Sequence, residues 1–286
     1  MKSGHVVQVP NEPALVCNGR LTLHQIPSAH DNLIWLLVCN ETGDCAAVDG
    51  PDGTAVAEYC TRHNFRLTKI LNTHTHPDHI GINRDFERQG LLGTLRVFGS
   101  EARQNDIPGI TDPVGEGDTV SIGVVSGDVW LTEGHLDGHI SYLFDDILLC
   151  GDTLFAGGCG YLFDGPPQKM YDSLMRFSNL DPMTKVCCAH EYTLDNLLFA
   201  RSVEPKNRHL IERLASVQRL RHTGRSTVPS TIEIELMTNP FLRSGSLELR
   251  AHVLTPANQN ATDAEVFAKT RELKDQKLYK TLDLEK

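Results

Sequence analysis

Apolar residues in the first two thirds of the chain fall into short runs, each followed by a turn and polar residues. The runs are LIWLLVC (33–39), CAAVD (45–49), KILNTH (69–74), LRVFG (95–99), VWLTEGH (129–135), ILLCGD (147–152) and KVCCAH (185–190). Runs of this length read as buried strands. Between some of them, GTAVAEYCTRHN (53–64) and PQKMYDSLMRFSNL (167–180) carry a helical period, and the second stops just before Asp181-Pro182. The alternation predicts sheets covered by helices, a layered α/β arrangement. The stretch 93–120, rich in Gly, Asp and Pro, reads as a loop with no evident role.

After His190 the pattern changes. YTLDNLLFARSVEP, NRHLIERLASVQRLRHTG and DAEVFAKTRELKDQKLYK are 3.6-period segments without strands, and they predict a helical C-terminal domain. The expected division is residues 1–192 and residues 193–286. No internal repeat or low-complexity segment is present.

Four of the strand runs lead into a residue able to bind metal: KILN to His74, VWLTEG to His135, ILLCG to Asp152 and VCCA to His190. Strand ends are held by a rigid sheet while facing loop-lined clefts, so they are common seats of polar chemistry. The stretch HTHPDH adds His76, Asp78 and His79. His74 and His76, two apart in an extended segment, point to one side, and Asp78 and His79 follow the bend at Pro77. One segment can therefore serve two adjacent cations, and imidazoles with carboxylates suit Zn²⁺, Fe or Mn. His139, four residues after His135, reads as a supporting group rather than a ligand, and His5, His24, His30, His63, His209, His222 and His252 lack clustered neighbours.

Composition narrows the rest. The chain has 286 residues, 40% hydrophobic and 22% charged, and a formal charge of -10. No apolar run approaches the roughly 20 residues of a membrane span. The negative charge disfavours nucleic acid. Eight scattered cysteines without a CxxC suit reduced thiols. The N-terminus has neither a secretory nor a transit pattern, so the expected location is the cytoplasm. One local exception to the acidity is Lys269, Arg271, Lys274, Lys277 and Lys280 near the C-terminus, a small positive patch.

HxHxDH followed by GH, GDT and a lone His resembles the pattern of the metallo-β-lactamase superfamily. That resemblance implies an αββα sandwich with a one- or two-metal site. Within it, GHLDGHISY (134–142), CGDTLFAGGCG (150–160), AHEYTLDNLLFARSVEPKN (189–207) and TRELKDQK (270–277) resemble glyoxalase II, the hydroxyacylglutathione hydrolases. The resemblance spans nearly the whole chain. It implies a monomeric enzyme that hydrolyses S-D-lactoylglutathione to D-lactate and glutathione, the second step of methylglyoxal detoxification, with two divalent metals, zinc foremost. His74, His76 and His135 would hold the first metal, Asp78, His79 and His190 the second, and Asp152 would bridge them. Asp78 would also orient the nucleophile. Glutathione positions fall at Tyr161, Phe163, Tyr192, Arg271 and Lys274. Tyr161 stands where the family usually has Lys or Arg, and Phe163 where Tyr is common. A lost cation and hydroxyl weaken the grip on a glycine carboxylate, which opens the option of a related thiol such as trypanothione. The nearest rival of the same fold is a persulfide dioxygenase using His74, His135 and Asp152 for iron; a non-catalytic metal-stabilised binding protein is a third option.

Overall fold

The computed structural model describes residues 5–281. Its first sheet has seven strands in sequence order: β1 (Ala14–Val16), β2 (Leu21–Ser28), β3 (Asn32–Cys39), β4 (Asp44–Val48), β5 (Arg66–Leu71), β6 (Arg96–Ser100) and β7 (Asp112–Val114). Pairing is antiparallel up to β4 and parallel from β4 to β7. The change follows from the connections. α1 (Gly53–His63) carries the chain back from β4 to β5, and α2 (Gly81–Arg88) lies between β5 and β6.

The second sheet runs β15-β14-β11-β10-β9-β8, with β8 (Thr119–Ile122), β9 (Val125–Leu131), β10 (Ile140–Phe144), β11 (Ile147–Gly151), β14 (Lys185–Cys188) and β15 (Ser230–Thr231). A two-stranded hairpin, β12 (Leu154–Phe155) and β13 (Gly158–Cys159), follows β11. The remaining helices are α3 (Pro167–Ser178), α4 (Thr193–Val203), α5 (Arg208–His222), α6 (Ile232–Thr238), α7 (Leu247–Val253) and α8 (Asp263–Asp275).

The apolar runs are unbroken because both faces of the strands are covered. In β3, Leu33, Trp35 and Leu37 enter the core between the sheets with Val129, Ile140, Tyr142 and Phe144. The alternate residues Ile34, Leu36 and Val38 pack with Val56 and Cys60 of α1 and Ile82 and Phe86 of α2. Two sequence expectations change here. The stretch 93–120 is not all loop: beyond β6, which is the expected run LRVFG, it holds β7 and the start of β8. The segment after His190 is not strand-free: Ser230 and Thr231 pair antiparallel with Val186 and Lys185.

The later helices share the inter-sheet core through Ile232, Phe241, Leu249, Val266 and Phe267. A buried polar seam fixes them to the hairpin. Glu235 accepts from Gly157 N at 2.7 Å and from Arg213 Nη2 at 2.6 Å, while Asn239 Nδ2 donates to Phe155 O and Gly158 O. Removing one partner of a buried ion pair leaves the other uncompensated. Glu235→Ala should therefore lower unfolding free energy by about 3–5 kcal/mol, read from the urea midpoint at unchanged slope.

Candidate metal centre and substrate cleft

The HTHPDH turn begins three residues past β5 and is pinned from several sides. Asn72 Nδ2 donates to His79 O and to Asn83 Oδ1, and His79 N and Ile80 N both donate to His76 O. Asp49, in the left-handed region at φ 51° directly after β4, accepts from Thr73 N at 2.8 Å and from Thr73 Oγ1 at 2.6 Å. A non-glycine residue in that conformation carries strain that the hydrogen bonds to Thr73 offset.

Asp152 follows β11 at once, behind Gly151. A Cβ on Gly151 would lie 2.3 Å from Thr73 Oγ1 and 2.8 Å from His139 Nε2, so glycine is required where the two segments meet. β9 stops at Leu131, earlier than its apolar run suggests, and His135 sits in the following loop. That loop is closed by Thr132 N donating to His139 O and by Ile140 N donating to Thr73 O. His190 lies two residues past β14, where Leu33 N donates to Ala189 O.

These segments bring all seven expected ligands together in two abutting groups. One is His74, His76, His135 and Asp152, the other Asp78, His79 and His190. In the first, His76 Nδ1 lies 3.0 Å from His74 Nε2 and 3.1 Å from His135 Nε2. Nitrogens around a tetrahedral Zn²⁺ at about 2.0–2.1 Å would stand about 3.3 Å apart, close to this spacing. Asp152 faces both groups. Oδ2 is 3.4 Å from His135 Nε2, and Oδ1 is 3.5 Å from His79 Nε2 and 3.4 Å from His190 Nε2.

Both ring nitrogens of His79 and Oδ1 of Asp152 are buried without a hydrogen bond, although His79 Nδ1 lies 3.0 Å from Asp49 Oδ2. Buried polar atoms are rarely left so. Convergent imidazole and carboxylate atoms with unused lone pairs fit a divalent cation. Asp49, His74 and His79 also converge, but the Asp49 oxygens are engaged by Thr73, so Asp49 serves as a positioning group.

Electrostatics separates the groups. Burial first, then neighbouring imidazoles, hold His74 well below its ordinary pKa, and burial lowers His76 and His135, leaving neutral rings suited to metal. Burial opposes charge on His79 and His190 too, but Asp152 together with Asp49 raises His79, and Asp152 together with Asp31 raises His190. Burial likewise opposes ionisation of Asp152, yet His190 and His79 hold its carboxyl well below the usual range.

Supporting residues surround the ligands. Asp31 Oδ1 lies 2.8 Å from His190 Nδ1, and Asn32 Nδ2 donates to Asp78 Oδ2 at 3.0 Å. His139 is fully buried, stacks 4.8 Å from His74, and takes Asp152 N on Nε2, which agrees with a supporting role. Asp31 and Asn32 carried no sequence signal beyond a turn. Asp49 ended an apolar run just as Asp152 does, and that signal could have found it.

A cleft of about 440 Å³ opens beside the clusters, lined by Tyr161, Tyr192, Phe155, Arg271, Lys274 and Cys159, with His5, Asn196, Lys277 and Lys280 among the other lining residues. Tyr192 stacks on His190 at 4.8 Å with an interplanar angle of 2°, and Tyr161 O lies 2.7 Å from His135 Nδ1, so the cleft touches both groups. Arg271 and Lys274 are buried rather than solvated at the end of a helix. Arg271 Nη1 donates to Cys159 O at 3.1 Å and its Nε to Asp275 at 3.0 Å, and Lys274 donates to Asn196. Burial, reinforced by Arg271, pushes Lys274 down to about 7. Four of the five cations in the basic patch line this cleft, with Asp275 and Asp195 also in the lining and paired with Arg271 and Lys280, which leaves the cations in excess; Lys269 pairs with Glu272 and is not among the lining residues. Phe163 lies outside the cleft lining, against His76 and His135.

Among the described residues no helix is long and apolar enough to cross a membrane. Residues 61–190 match the metallo-beta-lactamase superfamily, and residues 191–277 match the hydroxyacylglutathione hydrolase C-terminus. The hydroxyacylglutathione hydrolase of Aliivibrio fischeri (strain MJ11) is 41% identical over 256 residues, covering 90% of this chain and 99% of that protein. That of Methylococcus capsulatus is 42% identical over 257 residues, covering 89% and 98%. Among solved structures, ETHE1 from Myxococcus xanthus superposes with a TM-score of 0.61 at 23% identity, covering 87% of this chain and 89% of that one. The BLEG-1 B3 metallo-beta-lactamase gives 0.56 at 20%, covering 77% and 99%. At these identities the two structures establish the fold alone. Two convergent His/Asp groups on a metallo-β-lactamase sandwich, a cationic cleft built from the C-terminal helices, and relatives matched along their whole length together place the chain in the hydroxyacylglutathione hydrolase family.

Proposed function

We propose that the protein hydrolyses S-D-lactoylglutathione, a 2-hydroxyacyl thioester, to D-lactate and glutathione, with two divalent metals held by the His/Asp groups. The observation that carries this reading is Asp152, whose two oxygens face different clusters at 3.4–3.5 Å, the disposition of a bridging carboxylate. His74, His76 and His135 would hold one ion and Asp78, His79 and His190 the other. Zn²⁺ is the first expectation for this nitrogen and oxygen set, with Fe or Mn also suited. Ions held there would supply hydroxide at neutral pH, by lowering the pKa of water from about 15.7 toward roughly 7, and would polarise a carbonyl oxygen.

The chain does the rest by placement. Arg271 and Lys274 hold the glycine carboxylate of glutathione in the cleft, beside Tyr161 and Tyr192, which sets the thioester carbonyl against the clusters. Asp78, fixed by Asn32 and 41% exposed at its side chain, is the carboxylate placed to hold a proton of the attacking water. The leaving thiol has an ordinary pKa of about 8.5, so no strong general acid is required. In this reading residues 1–192 form the catalytic unit and 193–286 supply the thiol-binding helices of a monomer, acting in the cytoplasm in the second step of methylglyoxal detoxification.

Chelation of the purified protein should abolish hydrolysis, and about two equivalents of Zn²⁺ per chain should restore it. Restoration after one equivalent, with no further gain from a second, would contradict a two-metal site. Asp31→Asn, which leaves His190 Nδ1 without its anionic partner, is expected to weaken metal binding by about 10- to 100-fold in a competitive chelator titration.

A further inference from the structure

Phe163 is 58% exposed, yet its place is fixed. Its backbone N–H donates to His135 O at 3.1 Å, and two residues earlier Tyr161 O is bonded to the His135 ring. The Phe163 ring stands edge-on to His76 at 5.1 Å and to His135 at 5.3 Å, and leans on Tyr161 at 4.9 Å. An apolar ring held toward solvent at a reacting centre adds little to the core and is available to a ligand. Tyr161 and Phe163 thus divide the space around His135. Tyr161 lines the cleft with Arg271 and Lys274, and Phe163 stands next to it on the side of His76 and His135.

A thioester whose thiol half fills the cleft and whose carbonyl sits at the clusters has one substituent left to place, the carbon chain of the acyl group. We infer that Phe163 is the apolar wall for this chain, so that the enzyme favours glutathione thioesters of 2-hydroxy acids bearing an aromatic or branched apolar group. The inference rests on the proposed hydrolysis and assigns Phe163 to acyl selection rather than to thiol binding. Because the ring is anchored through its backbone to His135, it meets the substrate with little ordering left to do.

The test compares S-D-lactoylglutathione with S-D-mandeloylglutathione in the wild type and in Phe163→Ala, Phe163→Leu and Tyr161→Ala. Metal content is measured for each, and glutathione binding by calorimetry. The wild type should hydrolyse the mandeloyl thioester with kcat/KM at least equal to that for lactoyl. Phe163→Ala should cut mandeloyl turnover by about 10- to 100-fold and lactoyl by only about two- to threefold, on the scale of lost apolar pocket contacts. Phe163→Leu should fall between, and glutathione affinity should weaken in Tyr161→Ala but not in Phe163→Ala. Equal losses on both thioesters in Phe163→Ala and Phe163→Leu, or weakened glutathione binding with unchanged acyl preference, would overturn the assignment. Absence of turnover of either thioester by the metal-loaded wild type would instead overturn the hydrolysis reading beneath it.

Discussion

Replacing Asp152 by Asn is expected to lower kcat by about 10²–10³-fold or more, the scale seen when a group organising transition-state charge is lost, and to lower metal content with it. Asn keeps the size of the side chain but removes the charge that faces His135 on one oxygen and His79 and His190 on the other. Both clusters feel that charge: Asp152 favours positive charge on His79, His190, His74, His76 and His135 alike, and it would favour a cation held among them for the same reason. Metal analysis of the purified variant beside its steady-state rate checks the point. Full occupancy with normal turnover would show that Asp152 bridges nothing.

The second large effect concerns Lys274. Its ammonium is buried beside Arg271, and burial first, then that guanidinium, hold it down to about 7. An anionic substrate binds the protonated form, so affinity is full below about pH 7 in the free enzyme. As pH rises above that value, protonation on binding must be drawn from a shrinking fraction. KM for the glutathione thioester should therefore climb by up to about tenfold per pH unit above neutrality while kcat moves less. Lys274→Ala should raise KM by about 10- to 100-fold at pH 6.5, from a charge-assisted bond of about 1.5–3 kcal/mol, and should flatten that rise. A KM that climbs with the same slope in wild type and variant would assign the titration to another group.

The residues of the two His/Asp clusters were legible in the sequence because four of them sit at or near the ends of apolar runs and the other three follow in the HTHPDH turn, and both are local properties of the chain. Asp152 follows β11 at once and His190 follows β14 by two residues, so the runs ILLCG and VCCA pointed straight at them. His135 was found through the same pattern, although β9 itself ends at Leu131 and a loop covers the last steps. What the sequence did not carry is the tertiary support. Asp31 and His190 are 159 residues apart, and Thr73 and Asp49 are 24 apart. The first pair meets because the two sheets stack and the second because β4 and β5 lie side by side in one sheet; the run end at Asp49 marks that residue, but no local pattern announces which distant segment becomes a partner. The same reason hid β15, a two-residue strand whose partner β14 lies far upstream. The basic patch near the C-terminus was visible by charge counting, but whether it was a solvated helix end or a cleft wall depended on how α8 meets the hairpin at Cys159.

Phe163 shows the limit from the other side. A family resemblance placed it with the glutathione-binding residues, and its ring stands between Tyr161, which lines the cleft, and the imidazoles of His76 and His135. On the inference drawn above, a change from hydroxyl to apolar edge at that point would bear on the acyl half of the substrate, and the proposed carboxylate contacts of Arg271 and Lys274 would be unaffected.

The most direct test of the account is hydrolysis of S-D-lactoylglutathione by the purified, metal-analysed protein, followed as loss of thioester absorbance, with S-lactoyltrypanothione alongside. Turnover of the glutathione thioester by protein carrying about two divalent ions per chain is the predicted result. Metal-loaded protein that leaves the glutathione thioester intact, whether or not it cleaves the trypanothione one, would contradict it.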